Sequence, residues 1–361
     1  MFEFLKNPSQ RVLLVGDHYV SCDIMQQALN AAGVDTSNLK KVFWGPEDDG
    51  LFSVNQLELE AKGPEAVPYP RELDDAIGSA DVMMIHFCPM PRDLIKRAKR
   101  LKVLLVSRGG LEHVDVGAAT EMGIPVVNVI RNCVPVAEFT LGLMLSVTRN
   151  IAQSHKLLTQ GVWERHYPNS DHLTCLQNMK VGLAGLGNVG IELALRLKAL
   201  DVSMLAYDEF LDRERLMKNG LGNIAIVSSL EELFAQSDIV SLHLRLVPDT
   251  CGIIDRRLFS LMKPDAYLIN TARGGLVNQD DLLKALESGT IAGAALDVYD
   301  SEPLSADSGL TRMENVTLTP HIAGTTREAL SHSPFLLARE LLKIIDKGIT
   351  DRIVNYQDLS M

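Results

Sequence analysis

Basic residues are under-represented in this sequence: 35 Lys and Arg face 46 Asp and Glu, a formal net charge of −11. Nucleic-acid backbones are gripped by clustered Lys and Arg, so a nucleic-acid surface is excluded. Cysteine is sparse too. Cys22, Cys88, Cys133, Cys175 and Cys251 are scattered singly and odd in number, which fits neither a disulfide framework nor the spacing of metal ligands. No apolar run reaches the roughly 18 residues that a membrane-spanning helix needs. The opening residues, MFEFLKNPSQ, lack the basic and long apolar regions of a secretion signal. Low-complexity tracts and exact internal repeats are missing as well. The remaining composition, 46% hydrophobic and 22% charged, is ordinary for a soluble globular enzyme, and with the features above a cytoplasmic enzyme is expected. At 361 residues the chain is too long for one ordinary core, so two domains are expected.

What is present is alternation. From residue 11 to 130, the runs RVLLVG, KKVFW, DVMMIHF, KVLLVS and IPVVNV are separated by helical patterns, and a second series follows with KVGLAG, VSMLAYD, DIVSLHL, AYLINT, AGAALDV and VTLT. Short β-branched runs between helices indicate parallel strands covered on both faces. The fold class expected is therefore α/β, with two doubly wound parallel-sheet units in tandem. Residues 45–71, rich in Pro, Gly and acids, read as an irregular excursion. A long helix is expected over about 134–161; VAEFTLGLMLSV is apolar nearly all round, which suits burial or a subunit interface. Ser228 followed by Glu231 has the pattern of a capping box. Pro334 lies inside the last helical segment and predicts a bend near Ser333.

The stretch KVGLAGLGNVGIELALRL carries Gly185, Gly187 and Gly190 in G-x-G-x-x-G spacing, after a strand and opening a helix. Gly185 permits the tight turn, Gly187 lets the backbone approach a pyrophosphate, and Gly190 lets helix and strand pack closely. Asp208 ends the next strand, 23 residues beyond Gly185. A carboxylate there accepts hydrogen bonds from the adenosine ribose and repels the 2′-phosphate of NADP, and the following Glu209 and Phe210 offer no cation. NAD is the cofactor expected.

Three more residues sit at strand ends. Arg273 follows YLINTA beside Gly274 and Gly275; its guanidinium can grip a carboxylate in bidentate fashion and polarise an adjacent carbonyl. Glu302 lies five residues beyond Asp297, and His321 follows the strand that Pro320 closes. A carboxylate bonded to His321 would fix its tautomer and stabilise the imidazolium, making the histidine a proton donor and acceptor. Alone, each has an ordinary explanation: a surface ion pair, a Glu-Pro loop, a satisfied polar histidine. Together, at the carboxyl ends of strands in one dinucleotide-type unit, they mark a ligand site.

The motifs SRGGLEHVDVGAATEMGIPVVNV, VAEFTLGLML, GLAGLGNVG, HLRLVPDT, LINTARGGLV, LDVYDSEP and PHIAG resemble the D-isomer-specific 2-hydroxyacid dehydrogenases, the family of D-3-phosphoglycerate, D-glycerate and D-lactate dehydrogenases. The resemblance covers nearly the whole chain. It implies catalytic roles for Arg273, Glu302 and His321, ribose selection by Asp208, and a nicotinamide contact from Asp297. It further implies cofactor contacts from Asn188, Val189, His243, Thr271, Ala272 and Gly324, beside Gly185, Gly187 and Gly190. Backbone N–H groups of Gly109 and Gly110 would hold the carboxylate of a small 2-hydroxy or 2-oxo acid. The implied architecture inserts a Rossmann cofactor domain, 132–325, into a flavodoxin-like substrate domain, 1–131 with 326–361, and puts the active site in the cleft. A homodimer joined through the cofactor domain is also implied. Arg108 before the substrate loop and Arg245 in HLRLVPDT depart from the family pattern. Arg108 either binds a second anionic or polyhydroxylated end of the substrate or pairs with a neighbour such as Glu112. Glu302-Pro303 argues against the formate dehydrogenase branch, which carries Gln before the proline. The rival readings are an NAD(H)-binding regulator of the corepressor type, and a hydrolase of the adenosylhomocysteine type, which leaves Arg273, Glu302 and His321 unexplained.

Overall fold

In the computed structural model, which describes residues 2–46 and 48–359, the apolar runs form two parallel sheets. The first contains β1 (Val12–Gly16), β2 (Leu39–Phe43), β3 (Val82–Ile85), β4 (Val103–Val106) and β5 (Val126–Asn128), in the order β2-β1-β3-β4-β5. The second contains β6 (Lys180–Ala184), β7 (Ser203–Tyr207), β8 (Ala225–Ile226), β9 (Ile239–Leu242), β10 (Tyr267–Asn270), β11 (Gly293–Leu296) and β12 (Val316–Leu318). Its order is β12-β11-β10-β9-β6-β7-β8. The first order is the flavodoxin-like one and the second the Rossmann one extended by a strand, each with a switch point where the order reverses.

The chain divides into two compact units, Met1–Asn132 with Thr325–Met361, and Cys133–Gly324. In each, successive strand residues point to opposite faces and feed two separate cores. Leu13, Val15, Met83 and Ile85 enter one core of the first unit, and Val12, Leu14, Val82 and Met84 enter the other. The C-terminal helix Ser333–Lys347 belongs to the latter core, through Leu337, Leu341 and Ile344. In the second unit Val240, Leu242, Leu268 and Leu296 face one side, and Ile239, Ile269 and Ala295 the other. Among the described residues no helix is long and apolar enough to cross a membrane.

Four local expectations need correction. The stretch 45–71 is not irregular throughout, because it holds the helix Asp49–Lys62. Asp48 caps it by accepting from the Leu51 N–H, Gly63 ends it at φ 90°, and Phe52 and Leu59 are buried. Glu47 lies outside the described residues. The single helix over 134–161 is two, Cys133–Thr148 and Ile151–Thr159, parted at Asn150 with φ 56°; asparagine tolerates that left-handed conformation better than most residues. The capping box is shifted by one: Ser229 is the cap and accepts from the Glu232 N–H, while Glu232 accepts from Ser228. At the C-terminus a bend is replaced by a break between Arg327–Leu330 and Ser333–Lys347, with Pro334 in the first turn, where a missing N–H costs nothing.

Asp17, at the end of β1, accepts from the backbone N–H groups of Tyr19, Val20 and Phe87 and from His86 Nδ1 at 2.8 Å. Burial pushes the His86 imidazole down to about 4 against the pull of Asp17, and its Nε2 is buried with no hydrogen-bond partner among the described residues. The folded ring is thus neutral. In the unfolded chain it titrates near 6.5, so between about 6.5 and 4 the unfolded state binds the extra proton and stability falls as pH falls. His86→Asn keeps a donor for Asp17 without the titration. Its urea midpoint, read from the buried Trp44, should decline less steeply than the parent's between these pH values. Equal slopes would show that His86 is not held neutral.

Candidate functional site

Hydrogen-bond register makes one end of the second sheet level. Ala184, Leu242, Asn270, Leu296 and Leu318 pair side by side across β6, β9, β10, β11 and β12, and Ala184 pairs with Tyr207 of β7. The residues immediately beyond that row are Gly185, Asp208, His243, Thr271, Asp297 and Thr319. Every one leaves the sheet on its carboxyl side, where open α/β sheets take their ligands, and the reversal between β6 and β9 puts the glycine loop at the switch point.

The loop has the shape its glycines require. Gly185 adopts φ 103°, and a Cβ there would press on the His243 carbonyl; at Gly190 a Cβ would collide with the Gly185 carbonyl. At Gly187 a Cβ would meet nothing within 4 Å, so this side of the turn is open. Gly187 precedes the helix Asn188–Ala199, and the first intrahelical bond from Ile191 reaches back to the Gly187 carbonyl. The N–H groups of Asn188, Val189 and Gly190 therefore precede the helical ladder, and such an end suits a pyrophosphate. Asp208 accepts from the Leu186 N–H at 2.6 Å and from the Phe210 N–H at 2.8 Å, which fixes a negative charge beside the loop. These residues fit a dinucleotide.

Asp297 is 1% exposed and organises the histidine loop. Its Oδ1 accepts from the Thr319 hydroxyl at 2.6 Å and the Ile322 N–H at 3.0 Å, and its Oδ2 accepts from the Ala323 N–H at 2.8 Å. Gly324 closes the same turn. His321 is held at φ 53°, a conformation that costs a non-glycine residue roughly 1–3 kcal/mol and persists where surroundings impose it. Its Nδ1 lies 2.6 Å from Glu302 Oε2, while Glu302 Oε1 accepts from the Tyr299 N–H at 3.0 Å. Through Nδ1 the carboxylate fixes the orientation of the ring.

Tyr299 and Asn270, which the sequence did not single out, are positioning residues. The Tyr299 hydroxyl donates to the carbonyls of Leu296 and Thr319, tying β11 to the histidine loop. The Asn270 side chain accepts from the Ala272 N–H and donates to the Arg273 carbonyl, shaping the turn that presents Arg273 at the surface. Thr271 is buried with its hydroxyl 2.8 Å from that of Thr140, and Arg273 Nη1 donates to the Ala272 carbonyl. His243 Nε2 lies 3.0 Å from the Ser241 hydroxyl, and desolvation lowers its imidazole to about 4. Arg245 is exposed. Tyr299 and Asn270 sit inside motifs already quoted, but nothing in their spacing announces side chains that bond backbone.

In the first unit Arg108 follows β4 and is only 5% exposed. Of the two roles left open for it, an ion pair is present: Nη2 lies 2.6 Å from Glu60 and 3.8 Å from Glu112. Its guanidinium stacks 3.8 Å from the centroid of the Phe87 ring. Asn128 donates to the Gly109 carbonyl at 2.9 Å, bracing the Gly109–Gly110 turn against β5.

Known proteins are similar to this chain in sequence and in shape. The model of the D-isomer specific 2-hydroxyacid dehydrogenase NAD binding domain matches residues 141–323. Glyoxylate reductase of Thermofilum pendens is 39% identical over 274 residues, 74% of this chain and 79% of that protein. D-3-phosphoglycerate dehydrogenase of Methanocaldococcus jannaschii is 35% identical over 290 residues, 80% of this chain but 54% of that longer protein. A solved glyoxylate reductase from Paecilomyes thermophila superposes with TM-score 0.74 at 26% identity, covering 97% of this chain and 99% of that one.

Proposed function

The chain belongs to the D-isomer-specific 2-hydroxyacid dehydrogenase family, and from that premise we propose that it interconverts a D-2-hydroxyacid and its 2-oxoacid with NAD as cofactor. The observation that carries this reading is the 2.6 Å contact between His321 and Glu302, in the sheet that also bears the glycine loop. NAD supplies the hydride acceptor, and NADH the donor, at C2 of the acid. His321 Nε2 gives the carbonyl oxygen its proton in reduction and takes the hydroxyl proton in oxidation, while Glu302 stabilises the imidazolium. Arg273 grips the carboxylate and polarises the carbonyl. Gly109 and Gly110 are the proposed substrate loop, whose backbone N–H groups suit a carboxylate. Asp208, its charge fixed by two backbone bonds, favours NAD over NADP through the ribose hydroxyls.

The substrate proposed is polar, sugar-derived or phosphorylated, with Arg108 as the candidate partner of its second anionic or polyhydroxylated end. The protein is proposed to be a homodimer joined through the cofactor unit, whose Ile151, Leu158 and Trp163 are exposed apolar side chains. NADH oxidation with a panel of 2-oxoacids, including glyoxylate, hydroxypyruvate, sugar-derived acids and phosphorylated analogues, tests the reaction. Binding of NADH without turnover of any acid would favour a regulator instead.

Replacing His321 by Asn should lower turnover by about two to four orders of magnitude with NADH binding intact, since Asn accepts the same positive φ. Glu302→Gln removes the charge that favours the imidazolium, so the alkaline limit for oxoacid reduction should move to lower pH; an unmoved profile refutes the pairing. Asp208→Ala should weaken NADH and improve NADPH relative to it, read from the ratio of kcat/KM values. A parent enzyme that already prefers NADPH would contradict the ribose assignment. Arg108→Ala should raise KM for the larger anionic acid by at least about tenfold and leave glyoxylate nearly unchanged. Equal losses on both acids, or none, would leave Arg108 with its ion pair alone.

A further inference from the structure

The glycine loop carries no cation of its own: the side chains interspersed among Gly185, Gly187 and Gly190 are Leu186, Asn188 and Val189. A dinucleotide diphosphate brings about two negative charges, whereas a helix N-terminus offers roughly half a positive one. Asp208 deepens the shortfall, because its carboxylate takes the Leu186 N–H and adds a negative charge at the loop. A cation from another element would offset that shortfall.

We propose that Arg215 is the cation of this site, a guanidinium that another helix delivers to the start of Asn188–Ala199 to bind the diphosphate of NAD(H). Arg215 lies on the short helix Arg213–Lys218, which Asp212 caps by accepting from the Arg215 N–H at 2.9 Å. Its Nη2 donates at 2.6 Å to Asn188 Oδ1, on the first residue of the helix that the loop opens. The guanidinium is half-buried, and no carboxylate among the described residues pairs with it; the neighbouring Glu214 is engaged by Lys218. Asn188 thus orients a planar fork whose other N–H groups suit phosphate oxygens. Its neutral amide does so without the competing charge that an aspartate would bring. Attachment at Asn188, beside the open face of Gly187, assigns Arg215 to the diphosphate; the 2′ position of the ribose falls at Asp208.

The test is ligand affinity of the full-length protein, measured by calorimetry without any acid substrate, so it stands apart from the acid–base chemistry of His321. Arg215→Gln should raise Kd for NADH, NADPH and ADP-ribose alike, by about tenfold or roughly 1.4 kcal/mol, and leave adenosine unchanged. The parent's affinity for ADP-ribose should fall with added salt more steeply than the variant's. Arg215→Lys should lie between the two, because it keeps charge and loses the fork. An unaltered Kd for NADH overturns the proposal, and so does a loss confined to NADPH, which would move Arg215 to the 2′-phosphate. Equal weakening of adenosine also overturns it, since that would mean the loop itself had changed shape.

Discussion

The hydrogen bonds that set Ala184, Leu242, Asn270, Leu296 and Leu318 side by side decide where five parallel strands end. Parallel pairing has evenly spaced bonds, so level strand ends follow directly from register. Each chain segment then leaves the sheet on one side, and the side chains there have a common floor. Slipping one strand by a residue would turn its apolar set to the opposite face and carry its terminal functional residue with it. The cores on both faces therefore hold these strand-end residues in place as well as the fold.

Two buried carboxylates do the same work, one in each unit. Asp17 gathers the N–H groups of Tyr19, Val20 and Phe87 at the end of β1, and Asp297 gathers those of Ile322 and Ala323 beyond β12. Buried ionised oxygens with several donors each make charge-assisted bonds, which are shorter and stronger than neutral ones. In the second unit the result is a loop rigid enough to keep His321 in a left-handed conformation. Tyr299 adds a second brace by tying the Leu296 and Thr319 carbonyls together. Strain at the histidine is thus offset by ordinary hydrogen bonds around it.

Much of this was legible beforehand, and the gaps have physical causes. Strand runs such as VLLV and YLIN stand out because strands buried on both faces are apolar throughout. The glycine spacing was legible because its three positions answer to sterics of a few atoms. The helix Asp49–Lys62 was hidden because its stabilising contacts, from Phe52 and Leu59 into the core, are tertiary, while the flanking Pro and Gly read as loop. The break at Asn150 was masked by an apolar run whose continuation looked helical. Arg108 could be placed beside a functional loop, but its partner Glu60 lies 48 residues away in sequence.

The sequence by itself determined the parallel α/β units, the nucleotide loop, and which residue types stand at strand ends. These depend on local sterics and on the alternation of apolar runs, which are written in neighbouring residues. Only the tertiary structure decided who touches whom. His321 meets Glu302 across 19 residues, Asp208 meets Leu186 across 22, and Arg215 meets Asn188 across 27. Each of these contacts joins the ends of different elements, so it depends on strand order, register and helix placement. No short window of the chain contains that information.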